Sequence, residues 1–166
     1  MEAHVAAFIH SGILAGDTVI TIATKARREG FARYLRAACP GIDGTIDLLS
    51  SYRALDADEV LATFLVDTRP ERSRFFATMD HVFSTPSRDG RPIRVFGEMV
   101  TRLWQAGHPE AALELEELWN ELAQRYTFSL LCAYPVNVFA DQDPQHFLDT
   151  CAAHSQLSVP SPRAAV

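Results

Sequence analysis

The sequence predicts an α/β fold in three layers, a mostly parallel sheet flanked by helices. Three observations carry that expectation. Short runs rich in β-branched and apolar residues, such as Thr18 to Ala23 and Ile93 to Phe96, recur along the chain. Between them lie longer segments in which apolar residues return every three or four positions, the period of a helix. Finally, 166 residues of which 48% are hydrophobic suffice for one compact domain with a sizeable core. Strands that alternate with helices pair in parallel, because each helix carries the chain back to the starting edge.

Taken in order, residues from about Ala3 to Ala15 place Val5, Phe8 and Ile9 on one helical face, and Gly16 stands where that helix stops. Thr18 to Ala23 reads as the first strand. Thr24 is a cap residue for the next helix, whose Phe31, Tyr34, Leu35 and Ala38 face inward while Arg28, Arg33 and Arg36 face outward. Pro40-Gly41 breaks it, and Thr45 to Leu49 is a second, shorter strand candidate. Asp56 and Glu59 have the spacing of a capping box and open a helix with Val60, Leu61, Phe64 and Leu65 inward. Pro70 suits the first turn of a further helix packed through Phe75, Phe76, Met79, Val82 and Phe83. Ser84 to Arg91 reads as a surface loop.

Ile93 to Phe96 is the central buried strand, and Gly97 turns it into a helix through Val100, Leu103 and Trp104. Gly107 ends that helix and Pro109 starts another, running to about Gln124. Phe128 to Ala133 is the last buried strand, closed by Tyr134-Pro135. Asp143-Pro144 opens a terminal helix to about Cys151. A single domain over residues 1–156 is expected, with 157–166 as a frayed tail. Four strands are few for a doubly wound sheet, so an edge strand is missing or unread.

Composition excludes several classes. A formal charge of -6 argues against direct nucleic-acid binding, which needs a basic patch. No apolar run approaches the ~20 residues that span a bilayer, and the start lacks a basic segment followed by an apolar one, so neither membrane nor secretion is expected. Three scattered cysteines, Cys39, Cys132 and Cys151, suit reduced thiols in the cytoplasm. The six histidines show no H-x-x-x-H and no Cys/His cluster, so no metal or cofactor is expected.

The motifs are informative by absence. A parallel sheet invites a nucleotide, yet no G-x-x-x-x-G-K-[ST] or G-x-G-x-x-G follows any strand. After the first strand the chain reads Thr24-Lys25-Ala26-Arg27, without glycines to wrap a phosphate. Ligands of open α/β sheets bind beyond the carboxyl ends of the strands. Glu98, just past the central strand, is therefore the best-placed ionisable group; the plainer alternative is a first-turn residue paired with Arg102. Arg94 joins it if its side chain points to the crevice. On the helix from Pro109, a step of about 100° per residue puts Glu110, Glu114, Glu117 and Glu121 on one solvated stripe. Leu115, Leu118, Trp119 and Leu122 lie opposite. Glu116 and Asn120 sit on the border beside Trp119, as core-edge residues or as ligand contacts. With Trp104 and Tyr134 they complete the candidate ligand-binding set, although such tryptophans are more often core anchors than stacking contacts. No residue is singled out as catalytic.

A resemblance extends this reading. Arg94-Val95-Phe96-Gly97-Glu98-Met99-Val100 with Leu103-Trp104, Glu110-Ala111-Ala112-Leu113, Leu115 to Leu122 and Phe128 to Pro135 together resemble the MEDS sensory domain family. Gly16-Asp17, Val19 to Thr24, Tyr52 with Leu55-Asp56-Ala57, and His154-Ser155 are similar to its other segments. The resemblance implies a RecA/KaiC-like domain without a phosphate loop (Walker A). It also implies a non-enzymatic input module for small hydrocarbon derivatives, relaying to a signalling partner such as a histidine kinase or a transcription regulator. The family usually begins with a His-containing strand and a Tyr-rich turn, whereas this sequence is expected to start inside the first helix, with no effector domain expected after Val166. A degenerate ATPase or transferase with Glu98 as base is the alternative. An oligomeric scaffold, in which a second copy covers an open sheet edge, is another.

Overall fold

A computed structural model describes residues 2–38, 51–88, 90–134, 144–152 and 154. Helix α1 (Glu2–Ala15) leads into strand β1 (Thr18–Ala23), helix α2 (Lys25–Ala38), strand β2 (Tyr52–Asp56) and helix α3 (Ala57–Phe64). A two-strand ribbon, β3 (Leu65–Val66) and β4 (Arg69–Pro70), precedes helix α4 (Arg72–Arg88). Then come β5 (Ile93–Gly97), α5 (Met99–Gln105), α6 (Pro109–Leu122), β6 (Phe128–Cys132) and α7 (Pro144–Ala152).

The main sheet has the order β2-β1-β5-β6, with every pairing parallel. Alternate residues of β1 feed opposite layers. Val19 and Ala23 pack with α1 and α2 through Ile9, Phe31 and Leu35. Ile20 and Ile22 pack with α3 to α6 through Phe64, Phe75, Leu103, Leu115 and Trp119. The chain moves from β1 outward to β2 by way of α2, then recrosses β1 to reach β5 by way of α3 and α4. That reversal of direction puts the crossover helices on opposite faces, as the right-handed rule requires. It also creates a topological switch point between β1 and β5, the position where such sheets hold ligands.

Several expectations need correcting. Residues 45–49 lie outside the described residues, and the strand paired with β1 is Tyr52–Asp56. Its charged Arg53 and Asp56 and part-exposed edge position obscure the usual apolar signal. Pro70 belongs to the ribbon rather than a helix: β4 pairs with β3 around a turn whose Asp67 and Thr68 have positive φ. Glu71 opens α4 instead, accepting from the Ser73 and Arg74 amides at 3.0 Å each. The helix continues to Arg88, through most of the stretch read as a loop. Tyr34 is exposed on α2, and Arg28 folds back to the sheet rather than facing solvent.

Asp56 performs the predicted cap, taking the Asp58 and Glu59 amides at 3.0 and 3.2 Å. Its second oxygen receives Arg28 at 2.6 Å. Burial pushes this carboxyl upward, but the Arg28 hydrogen bond and the two amides outweigh it and hold it below the ordinary value. A lowered folded pKa stabilises above the unfolded value of about 3.9 and is lost as pH falls through the folded one. The stability deficit of Asp56→Asn is therefore expected to be full near neutral pH and to shrink on acidification below about pH 4. Denaturant titration at both pH values measures it; a deficit independent of pH contradicts the assignment.

Candidate functional site

Polar side chains gather at the carboxyl ends of the strands. β1 ends at Ala23, β2 at Asp56, β5 at Gly97 and β6 at Cys132, and the register sets Ala23 against Asp56 and Gly97 against Cys132. Two clusters form along this edge.

The first lies at the switch point. Glu98 follows β5, and its amide donates to the Ile22 carbonyl at 2.9 Å, which anchors it against β1. Its carboxylate is 4% exposed. One oxygen accepts from the Thr24 amide at 2.9 Å and the Thr24 hydroxyl at 3.1 Å; the other meets Arg27 Nε at 2.5 Å. The start of α2 is where backbone N–H groups and the helix dipole favour an anion. Here the chain supplies that anion itself. Glu98 does not pair with Arg102, which reaches Asp58 at 2.9 Å. Thr24 stands at the start of α2 as read, but its hydroxyl donates to Glu98.

The second cluster lies beyond β6. Glu116 projects from the buried face of α6 and is 3% exposed. It accepts a hydrogen bond from the Tyr134 hydroxyl and faces His154 Nε2 at 3.5 Å. Tyr134 and His154 meet edge-to-face, with ring centres 5.9 Å apart. Burial raises the Glu116 carboxyl above its ordinary value, against the pull of the Tyr134 hydrogen bond and His154. Burial likewise raises the Tyr134 hydroxyl and the Cys132 thiol, and the Glu116 charge adds to both. Thr101, in the first turn of α5, donates its hydroxyl to the Ala133 carbonyl at 2.9 Å.

The remaining candidates separate. Arg94 points to the opposite end of the first layer, where it pairs with Asp17 at 2.5 Å, donates to Ser11 at 3.1 Å and lies over Phe8. Trp104 and Trp119 are buried in the second layer. Asn120 is on the solvent side of α6. So Glu116 and Tyr134 come together, Glu98 stands at the neighbouring strand end, and the other four lie elsewhere. The site residues expected from the sequence do not include Arg27, Cys132 or His154. The two surface grooves described, around Arg69–Glu114–Glu121 and Thr68–His108–Glu110, lie apart from both clusters.

A family model described as MEDS, the MEthanogen/methylotroph, DcmR Sensory domain, matches residues 1–154. The chain belongs to the MEDS family. Neither the curated proteins nor the solved structures gave a match. The MEDS segments named from the sequence fall on β1, β2, β5 to β6 and His154 beyond α7, so the family's span coincides with the sheet and the two clusters. Among the described residues no helix is long and apolar enough to cross a membrane.

Proposed function

We propose that this MEDS domain is a non-catalytic sensing module. It binds a small organic molecule, a hydrocarbon derivative, and relays that event to a signalling partner such as a histidine kinase or a transcription regulator. The observation that supports it is the occupancy of the switch point by the chain's own groups. A nucleotide enzyme aims open amides and a free base at its substrate from this place. Here both Glu98 oxygens are bonded to Thr24 and Arg27, so Glu98 serves as an internal anion rather than a base. The scaffold is that of a RecA/KaiC-like domain whose phosphate loop has been replaced by an internal ion pair.

Ligand recognition then falls to the end of β6, where Glu116 and Tyr134 bring their polar atoms together and the Tyr134 ring stands edge-to-face with His154. Thermal melting with a panel of short alcohols, amines and carboxylates tests this. At least one compound is expected to raise the melting temperature with concentration, by the equivalent of about 2.7 kcal/mol at 100 times its Kd. Tyr134→Phe, which keeps the ring and removes the hydroxyl, is expected to lose most of that shift. A panel that leaves the curve unmoved, or a shift equal in the variant, overturns the reading.

A further inference from the structure

Three segments far apart in the chain deliver a carboxylate, a thiol and an imidazole to one place. Glu116 comes from α6, Cys132 from the last position of β6 and His154 from just beyond α7. One ligand atom of each lies within 4.8 Å of the others. Around a tetrahedral ion with bonds of about 2.0–2.3 Å, neighbouring ligand atoms stand roughly 3.3–3.8 Å apart. Glu116 Oε1 and His154 Nε2 already have such a separation, 3.5 Å.

The hydrogen bonding of His154 is a second observation. Its Nδ1 lies 2.7 Å from the Thr150 carbonyl oxygen. A carbonyl only accepts, so that nitrogen carries the hydrogen. The neutral ring then turns a bare lone pair outward at Nε2, which is buried and has no hydrogen-bond partner among the described residues. It faces a carboxylate oxygen, another electron-pair donor. Two such atoms face each other stably only with a proton or a cation between them. A proton would satisfy this pair, and the Cys132 thiol hydrogen-bonds Glu116 and Tyr134; a cation would use all three donors at once, which converge as metal ligands do. Metal-bound histidines show the same arrangement, the second N–H held by a backbone carbonyl so that the other nitrogen is aimed.

We infer that Glu116, Cys132 and His154 form a site for a borderline transition-metal ion of the zinc class. Imidazole and thiolate together suit zinc and its neighbours, whereas magnesium and calcium take oxygen ligands. On binding, Cys132 loses its S–H proton to solvent and coordinates as thiolate, His154 coordinates through neutral Nε2, and Glu116 as carboxylate. Three protein donors leave a fourth position, as in open zinc sites, and the Tyr134 hydroxyl or a water can take it.

Cobalt(II), which reports its ligands spectroscopically, is the probe. Titrated alone into the reduced full chain, it is expected to bind one ion per chain. A thiolate-to-cobalt charge-transfer band and the intense visible bands of a tetrahedral ion should appear, and zinc should displace both. Cys132→Ser is expected to abolish the charge-transfer band, while Cys151→Ser keeps it. His154→Gln, at a partly exposed position, guards against misfolding of the first variant. It is expected to weaken binding beyond the about 100-fold that changes to outer partners of a metal site cost. No tight cobalt uptake by the wild type, or a charge-transfer band that survives Cys132→Ser, overturns the site. The inference does not depend on the sensing reading. Cobalt uptake without any organic ligand supports the metal alone, and an organic ligand bound without cobalt uptake supports sensing alone.

Discussion

Glu98→Ala is expected to lower the unfolding free energy by about 3–5 kcal/mol, the cost of removing one partner of a buried ion pair. The carboxylate is almost fully enclosed, and the Arg27 side chain it holds is 14% exposed. Arg27 Nη1 already has no hydrogen-bond partner among the described residues, so removing Glu98 takes the partner of Nε as well. The Thr24 amide loses its acceptor in the same step. An exposed ion pair would contribute at most about 1 kcal/mol. Guanidinium denaturation followed by circular dichroism separates the two cases, and the slope should stay unchanged if only the native state is affected. A loss below about 1 kcal/mol would mean that Glu98 is solvated and the switch point open.

Trp119→Ala is expected to cost about 3–5 kcal/mol, as large-to-small changes of a core aromatic do. The indole is 2% exposed and stands edge-on to Phe75 with centres 5.7 Å apart, within reach of Phe128 at 6.0 Å. Thermal melting should show a large drop for Trp119→Ala and a smaller one for Trp119→Phe, which refills most of the space. An unchanged melting temperature would place the ring at a surface instead. It follows that a ligand effect of Trp119→Ala cannot be separated from damage to the fold, whereas Tyr134→Phe gives a clean reading.

The elements legible in the sequence are those whose burial follows from periodicity alone. β1 is buried throughout and β5 at every position but Arg94, and both read as short runs of β-branched and apolar residues. On α6, Leu115, Leu118, Trp119 and Leu122 are buried as the wheel requires, and Glu114 and Glu121 reach out to Arg69 and Arg72. What stayed hidden depended on partners remote in sequence. β2 is an edge strand whose Arg53 donates across to the Val82 carbonyl of α4 at 2.8 Å, so its charge looked like loop. Pro70 is compatible with a helix start and with an edge strand, and only the pairing of Leu65 with Pro70 decides. Glu98 was placed correctly at a strand end, yet its partner came from α2 rather than from four residues ahead on its own helix. The Glu116–Cys132–His154 cluster had no local signature, because its members are brought together by α6, β6 and α7 and never share a motif.

A double-mutant cycle between Glu98 and Arg27 tests most directly whether the switch point is closed by the chain's own charges. Unfolding free energies of the wild type, Glu98→Gln, Arg27→Met and the double variant are measured under one condition. Coupling of at least about 1.5 kcal/mol is predicted, in the upper part of the roughly 0.5–3 kcal/mol found for residues of one network. Effects that add to within about 0.5 kcal/mol would show that the two side chains are independent and that Glu98 is free for another role.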